Sequence, residues 1–277
     1  MRVTTEKIKT SESAITLNIT VPTKSILSDR FKRLRQSVIE NGLSLECNVS
    51  MSAVEDTLPS FRFSKSVNRG FQENDADYYV NVNDDVILGK TALSESLYRL
   101  HENPEVGILG GVLCYPNGKV QYAGNGVALS GTMKYYYMMI LKYHAPFDAF
   151  RKIRHNKKKG IERFLLFYDY TNFKETSEGL CGATYQMITA QTIKSTGGYD
   201  ENYVMGFEDY DFCLRAMKSG FKVRLAKTVR LTHERGASGV EHSRIWGDEA
   251  TQMLYSKFSP DVILMLVAHN GPLLIVD

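Results

Sequence analysis

Cysteine is scarce in this chain. Its 277 residues hold four, Cys47, Cys114, Cys181 and Cys213, far apart and with no C-x-x-C pair. That spacing excludes a zinc knuckle and a dense disulfide framework, and predicts free, mostly buried thiols. No uninterrupted apolar run approaches the ~20 residues that span a bilayer, and the opening Met1-Arg2-Val3-Thr4-Thr5-Glu6-Lys7 has no apolar leader core. A soluble, cytoplasmic-type protein is expected. Net charge is only +3, too little to imply nucleic-acid binding. Basic residues are nonetheless dense between Arg151 and Gly160. A run of that kind is usually a solvated loop, and here it is also a candidate mobile lid or a contact for an anionic group. Two signatures fail outright. His233-Glu234 is followed by Ala237 where H-E-x-x-H needs histidine, and Gly124-Asn125-Gly126 meets Leu129 where a dinucleotide fingerprint needs glycine.

What is present is an ordinary globular balance, 43% hydrophobic and 23% charged, enough for one large α/β domain or two small ones. Ala14 to Val21 alternates and is rich in β-branched residues, which predicts a first strand stopped by Pro22. Ser28 to Asn41 carries Phe31, Leu34, Val38 and Ile39 at helical spacing, and Leu43 to Met51 reads as a second strand. A β-α-β opening implies a parallel sheet covered by helices. Ser66 to Phe71 reads as a turn, Asp77 to Val82 as a buried strand, Thr91 to His101 as a helix and Val106 to Cys114 as a strand. Further on, the pattern predicts a strand over Gly179 to Ile188, short helices over Gln191 to Ser195 and Asp209 to Ser219, and two short strands, Lys222 to Leu225 and Val229 to Thr232. One helix around Asp248 to Phe258 closes the pattern. Residues 130–178 carry no clear periodicity and are treated as an insertion.

The chemistry concentrates in two acidic clusters. Asn83-Asp84-Asp85 ends a strand, where open α/β sheets bind ligands. Gly197-Gly198-Tyr199-Asp200-Glu201 precedes Gly206-Phe207-Glu208-Asp209-Tyr210-Asp211, a Gly-rich loop giving way to a helix. Acidic residues in a first helical turn serve as caps worth about 0.3–1 kcal/mol. With a second acidic cluster they also suit metal-assisted transfer, in which a hard cation offsets leaving-group charge and a carboxylate acts as a general base.

The order Asn68-Arg69-Gly70-Phe71, Asn83-Asp84-Asp85, Val106 to Gly111, Pro116 to Gly124, Gly197 to Glu201, Glu208 to Asp211 and His233 to Ser238 resembles the nucleotide-diphospho-sugar glycosyltransferases of family 2, in particular their rhamnosyltransferase-like branch. The resemblance covers residues 14–258. It implies a GT-A fold, Rossmann-like and mostly parallel, as a single catalytic domain over 1–277. Residues 1–125 would bind the nucleotide sugar, 126–240 the acceptor and catalytic groups, and 241–277 would form a helical tail. It implies a UDP-, GDP- or dTDP-sugar donor, a glycan acceptor, inversion and a divalent metal, manganese before magnesium. By this resemblance Asp85 and His233 are metal ligands, Asp209 is the general base with Glu208 in reserve, and Thr23, Asn68, Arg69, Gly70, Asn83, Asp84 and Gly182 contact the donor. Asp211 and Arg215 are assigned to the acceptor. The family's base-holding Asp after the second strand is replaced here by Val49-Ser50-Met51-Ser52, which leaves Ser52, Glu55 and Asp56 as candidates. A non-catalytic nucleotide-sugar-binding module is the alternative. A sugar nucleotidyltransferase would need a Gly-rich loop at Val21-Pro22-Thr23-Lys24, and there is none.

Overall fold

The computed structural model describes residues 1–57, 61–133, 165–173, 178–204, 206–234 and 243–275. In chain order the elements are β1 (Arg2–Lys9), β2 (Thr16–Thr23), α1 (Asp29–Leu43), β3 (Asn48–Glu55), α2 (Phe63–Phe71), β4 (Tyr78–Val82), β5 (Val86–Leu88) and α3 (Ala92–Glu102). Next come β6 (Val106–Cys114), β7 (Val120–Tyr122), β8 (Asn125–Leu129), β9 (Leu165–Asp169), β10 (Gly179–Leu180), β11 (Tyr185–Thr189) and α4 (Ala190–Thr196). The chain continues through α5 (Glu208–Lys218), β12 (Lys222–His233), α6 (Ser243–Lys257), α7 (Pro260–Asn270) and β13 (Leu274–Ile275). The basic run at 151–160, with the lid expected of it, lies outside the described residues.

A ten-stranded sheet runs β1-β3-β2-β4-β11-β6-β12-β13, with β5 beside β12 and β7 beside β6. Strands β3, β2 and β4 are parallel, as are β6, β12 and β13, and β11 runs antiparallel between β4 and β6. The reversal has a consequence for the site. It brings the start of β11 to the edge where β2, β4, β6 and β12 all end, so the Asn83 amide donates to the Thr184 carbonyl at 3.1 Å. A second sheet, β10-β8-β9, stands beside that edge.

Local chemistry explains the helices that frame it. In α1 the Ser28 hydroxyl accepts from the Phe31 amide at 3.2 Å, a cap worth about 1 kcal/mol, and Phe31, Leu34 and Val38 bury against the sheet. Residues 66–71, read as a turn from sequence, are instead the body of α2. Val67 and Phe71 are buried, and Phe71 packs edge-on to Tyr79 with centroids 5.2 Å apart. Gly70 lets α2 approach β2 closely, because a Cβ there would meet the Thr20 side chain at 2.2 Å.

Other boundaries differ from the sequence reading for physical reasons. Strand β1 was not anticipated: its polar, charged pattern suits the exposed edge it forms antiparallel to β3. Strand β3 runs to Glu55 rather than Met51, so Ser52 is a wholly buried mid-strand residue and Asp56 follows the strand directly. The two short strands expected near the C-terminal side are one strand, β12, with a register shift between Ala226 and Arg230. The strand expected over 179–188 is split into β10 and β11 around Gly182. All four cysteines are free and buried. No described helix is long and apolar enough to cross a membrane.

Candidate active site

Helix α5 opens under strain. Phe207, its N-cap, has φ of 65°, a left-handed conformation that costs a non-glycine residue about 1–2 kcal/mol. Rings around it hold the turn: Phe167, Phe207 and Tyr210 pack mutually with centroids 4.8 to 5.3 Å apart. Strain of this kind marks functional positions, and the two residues that follow are Glu208 and Asp209. Asp209 Oδ2 accepts from the Ala183 amide at 3.0 Å, and Oδ1 from the Tyr210 amide at 2.9 Å. Gly182 makes room for this approach, because a Cβ there would lie 3.0 Å from the Tyr122 hydroxyl and 3.6 Å from Asp209 Oδ2.

The two carboxyls titrate differently. Burial, reinforced by the neighbouring Asp209 charge, pushes Glu208 well above the ordinary carboxylate range. Its Oε2 is buried without a hydrogen-bond partner. Burial raises Asp209 as well, but the amides of Ala183 and Tyr210 stabilise its charged form, so Asp209 ionises before Glu208. Asp209 is thereby the carboxylate available near neutrality.

Two cavities meet at Asp209 and share Ala183 and Thr184 as walls. One, of about 270 Å³, is lined by Pro22, Thr23, Lys24, Arg30, Phe61, Phe63, Asn83, Asp84, Asp85 and Glu208. Within it the Thr23 hydroxyl donates to Asp84 Oδ2 at 2.6 Å, and Arg30 Nη2 stands 3.9 Å from the same oxygen. The other cavity, of about 260 Å³, adds Gln121, Tyr122, Asn125, Asp169, Gly182, Tyr210 and His233.

Asp85 and His233 face each other across this junction. The antiparallel pairing of β5 with β12 puts His233 opposite Val86, and Asp85 Oδ1 lies 3.4 Å from His233 Nε2. On the other side of the ring, Nδ1 is 2.6 Å from Gln121 Oε1. A carbonyl oxygen only accepts, so this pair puts a proton on Nδ1; in the neutral ring the Nε2 lone pair then faces Asp85. Asp85 Oδ1 is itself buried with no hydrogen-bond partner. Two electron-rich atoms held face to face fit a shared cation. Among the described residues no group of three or more His, Cys, Asp or Glu side chains could hold a metal alone. These two donors therefore suit a hard cation whose other ligands are diphosphate oxygens and water.

The structure thus brings Thr23, Asn83, Asp84, Asp85, Gly182, Glu208, Asp209 and His233 together. It separates the rest. Asn68 lines neither of these two cavities: its amide accepts from the Tyr199 amide at 2.9 Å and donates to the Tyr199 carbonyl at 2.8 Å, clamping the turn after Gly197 and Gly198. Gly70 packs on Thr20, and Arg69 pairs with Glu73 at the surface, so none of the three reaches the donor cavity. Asp211 and Arg215 lie away from this junction. Asp211 is fully buried, 2.6 Å from Arg215 Nε and 2.7 Å from Lys257 Nζ. At about 100° per residue, Asp211 points some 200° around the helix from Asp209. Sequence reasoning missed Arg30, Phe61, Phe63, Gln121, Asn125 and Asp169. Only Arg30, in the first turn after the β2 loop, carried a readable signal.

Comparison with known proteins bears on the fold that carries this site. Residues 162–236, which include Asp169, Gly182, Asp209 and His233, match the family described as the N-terminal domain of galactosyltransferase. An uncharacterised protein of Sinorhizobium fredii is 26% identical over 180 residues, 64% of this chain. The match spans only 17% of that relative's length. Among solved structures, a mannosyltransferase of Pyrobaculum calidifontis in complex with GDP-Man and Mn2+ superposes with a TM-score of 0.55 at 12% identity. The match covers 95% of this chain and 73% of that one. The catalytic domain of Drosophila β1,4-galactosyltransferase 7 with xylobiose gives 0.41 at 18% identity, over 82% and 68%. The chain has a mixed α/β, glycosyltransferase-like GT-A fold.

Proposed function

We propose that the chain is an inverting glycosyltransferase that moves a sugar from a nucleoside-diphosphate sugar to a hydroxyl of a glycan acceptor. The observation that carries this reading is the position of Asp209, a half-buried carboxylate on the wall shared by two cavities. One cavity offers Lys24 and Arg30 to a diphosphate and Thr23, Asn83 and Asp84 to the sugar and ribose. The other leaves room for an acceptor on the opposite side. Asp209 takes the acceptor proton as the oxygen attacks the anomeric carbon, and the diphosphate departs with the bonding pair. Two amides keep Asp209 ionised despite burial, and the protonated Glu208 beside it adds no competing negative charge.

A divalent cation, manganese before magnesium given the imidazole donor, would be held by Asp85 and His233 and would neutralise charge on the departing diphosphate. The manganese in the Pyrobaculum neighbour supports this reading of the pair. Asp56, directly after β3, supplies the acidic residue that the resemblance asks of the nucleotide base site. Residues 1–277 act as one catalytic domain. A donor screen tests the function: release of nucleoside diphosphate from each of several UDP-, GDP- and dTDP-sugars, with manganese and a mixed glycoside acceptor pool. Acceptor-dependent release from at least one donor is expected. Donor binding without release from any would leave a sugar-nucleotide-binding module instead.

A further inference from the structure

The cavity on the far side of Asp209 is walled by the second sheet. Pairing of β8 with β9 sets Asn125 opposite Asp169, and Asn125 Nδ2 donates to Asp169 Oδ1 at 2.8 Å. Asn125 Oδ1 in turn accepts from the Tyr122 hydroxyl at 2.6 Å, and that hydroxyl accepts from the Gly182 amide. Burial holds Tyr122 protonated, so the relay keeps its direction. It fixes the Asp169 carboxylate at the cavity wall. Gln121 supplies a second polar group: its side chain is 8% exposed, its Oε1 is engaged by His233, and its Nε2 is buried without a partner. A buried amide N–H is held at a desolvation cost until something accepts from it. Tyr210 adds an aromatic wall, made rigid by Phe167 and Phe207.

Charge and size narrow the occupant. Among the described residues the lining holds the carboxylates of Asp169 and Asp209 and no Lys or Arg, which disfavours an anionic group. The cavity's volume of about 260 Å³ accommodates one sugar ring beside Asp209. We propose that this cavity is the acceptor subsite and that it selects a single uncharged pyranoside, with Asp169 accepting from ring hydroxyls, Gln121 donating to a ring oxygen and Tyr210 covering an apolar face. The inference rests on the glycosyltransferase reading for its chemistry, and it replaces Asp211 and Arg215 as the acceptor contacts.

The test is saturation-transfer NMR on the full chain. The probes are methyl pyranosides of mannose, galactose, glucose and xylose, with methyl glucuronide and glycerol phosphate as anionic counterparts. At least one neutral pyranoside should bind and the anionic probes should not. Asp169→Asn and Gln121→Ala should each weaken that binding about tenfold, the worth of one lost hydrogen bond at about 1.4 kcal/mol. Titration of GDP, UDP and dTDP with manganese is run on the same samples. Unchanged nucleotide affinity in Asp169→Asn, and an unchanged circular dichroism spectrum and urea midpoint in Gln121→Ala, whose Oε1 positions His233, show that the variants are folded. Binding of anionic probes alone, no pyranoside binding, or neutral binding that survives both substitutions overturns the subsite. If no nucleotide binds the unaltered chain while a pyranoside does, the donor reading falls and the subsite stands.

Discussion

Helix α5 carries two acidic environments less than a turn apart, and they differ in what surrounds the charge. Asp211 is wholly buried but pinned between Arg215 and Lys257. Glu208 and Asp209 are pushed toward the protonated form by burial and meet no cation within salt-bridge distance among the described residues. A carboxylate with built-in counterions is used for architecture. One held in a cleft against its own desolvation cost is held there for a partner that arrives later. Burial alone therefore does not separate structure from chemistry, and pairing does.

The largest effect on stability is expected at Asp211. Asp211→Ala leaves Arg215 without its carboxylate and Lys257 with Asp200 alone, and losing one member of a buried pair costs about 3–5 kcal/mol. Both cations are partly exposed, with side-chain exposures of 22% and 30%, so the lower end applies. A urea midpoint measures it, and turnover per folded molecule should be unchanged. An unmoved midpoint would mean that the ion cluster is only surface charge.

Glu208→Gln should act in the opposite direction. A carboxyl raised by folding favours the folded state only while it is protonated, so that contribution is present below the unfolded value of about 4.3 and is lost as pH rises toward the raised folded value. The amide removes the penalty. Near pH 8 the variant should be more stable than the parent by at least about 1.4 kcal/mol, the worth of one pKa unit, and the two should converge below about pH 4. Denaturant titrations across that range check it, and parallel curves would contradict the assignment. Smaller still is Arg69→Ala. Its pair with Glu73 is half-exposed, worth about 0–1 kcal/mol, and the donor Michaelis constant should not move. A several-fold rise would restore Arg69 to the donor site.

The parts of this site that could be read from sequence are those whose signal is local. The apolar strand Tyr78–Val82 running into Asn83-Asp84-Asp85 announced both its element and its place at the sheet edge. Glu208 and Asp209 stood out beside the glycines at 197, 198 and 206. Helix α2 did not, because Asn68, Arg69 and Gly70 read as a turn until Thr20 and Tyr199 supply the contacts that hold them helical. Gln121 and Asp169 lie on different strands and become neighbours only through the second sheet, an arrangement no window of sequence contains. Asp211 was legible as acidic but not as buried, since its partner Lys257 lies 46 residues away.

The central claim is that Asp209 is a base rather than a cap. Asp209→Asn measures it, because asparagine keeps the shape and one of the two amide hydrogen bonds but cannot take a proton. Donor and manganese affinity by calorimetry and turnover by diphosphate release are read on one preparation. Affinity should stay the same while turnover drops about 10²–10⁴-fold. Turnover equal to the parent's would contradict the claim.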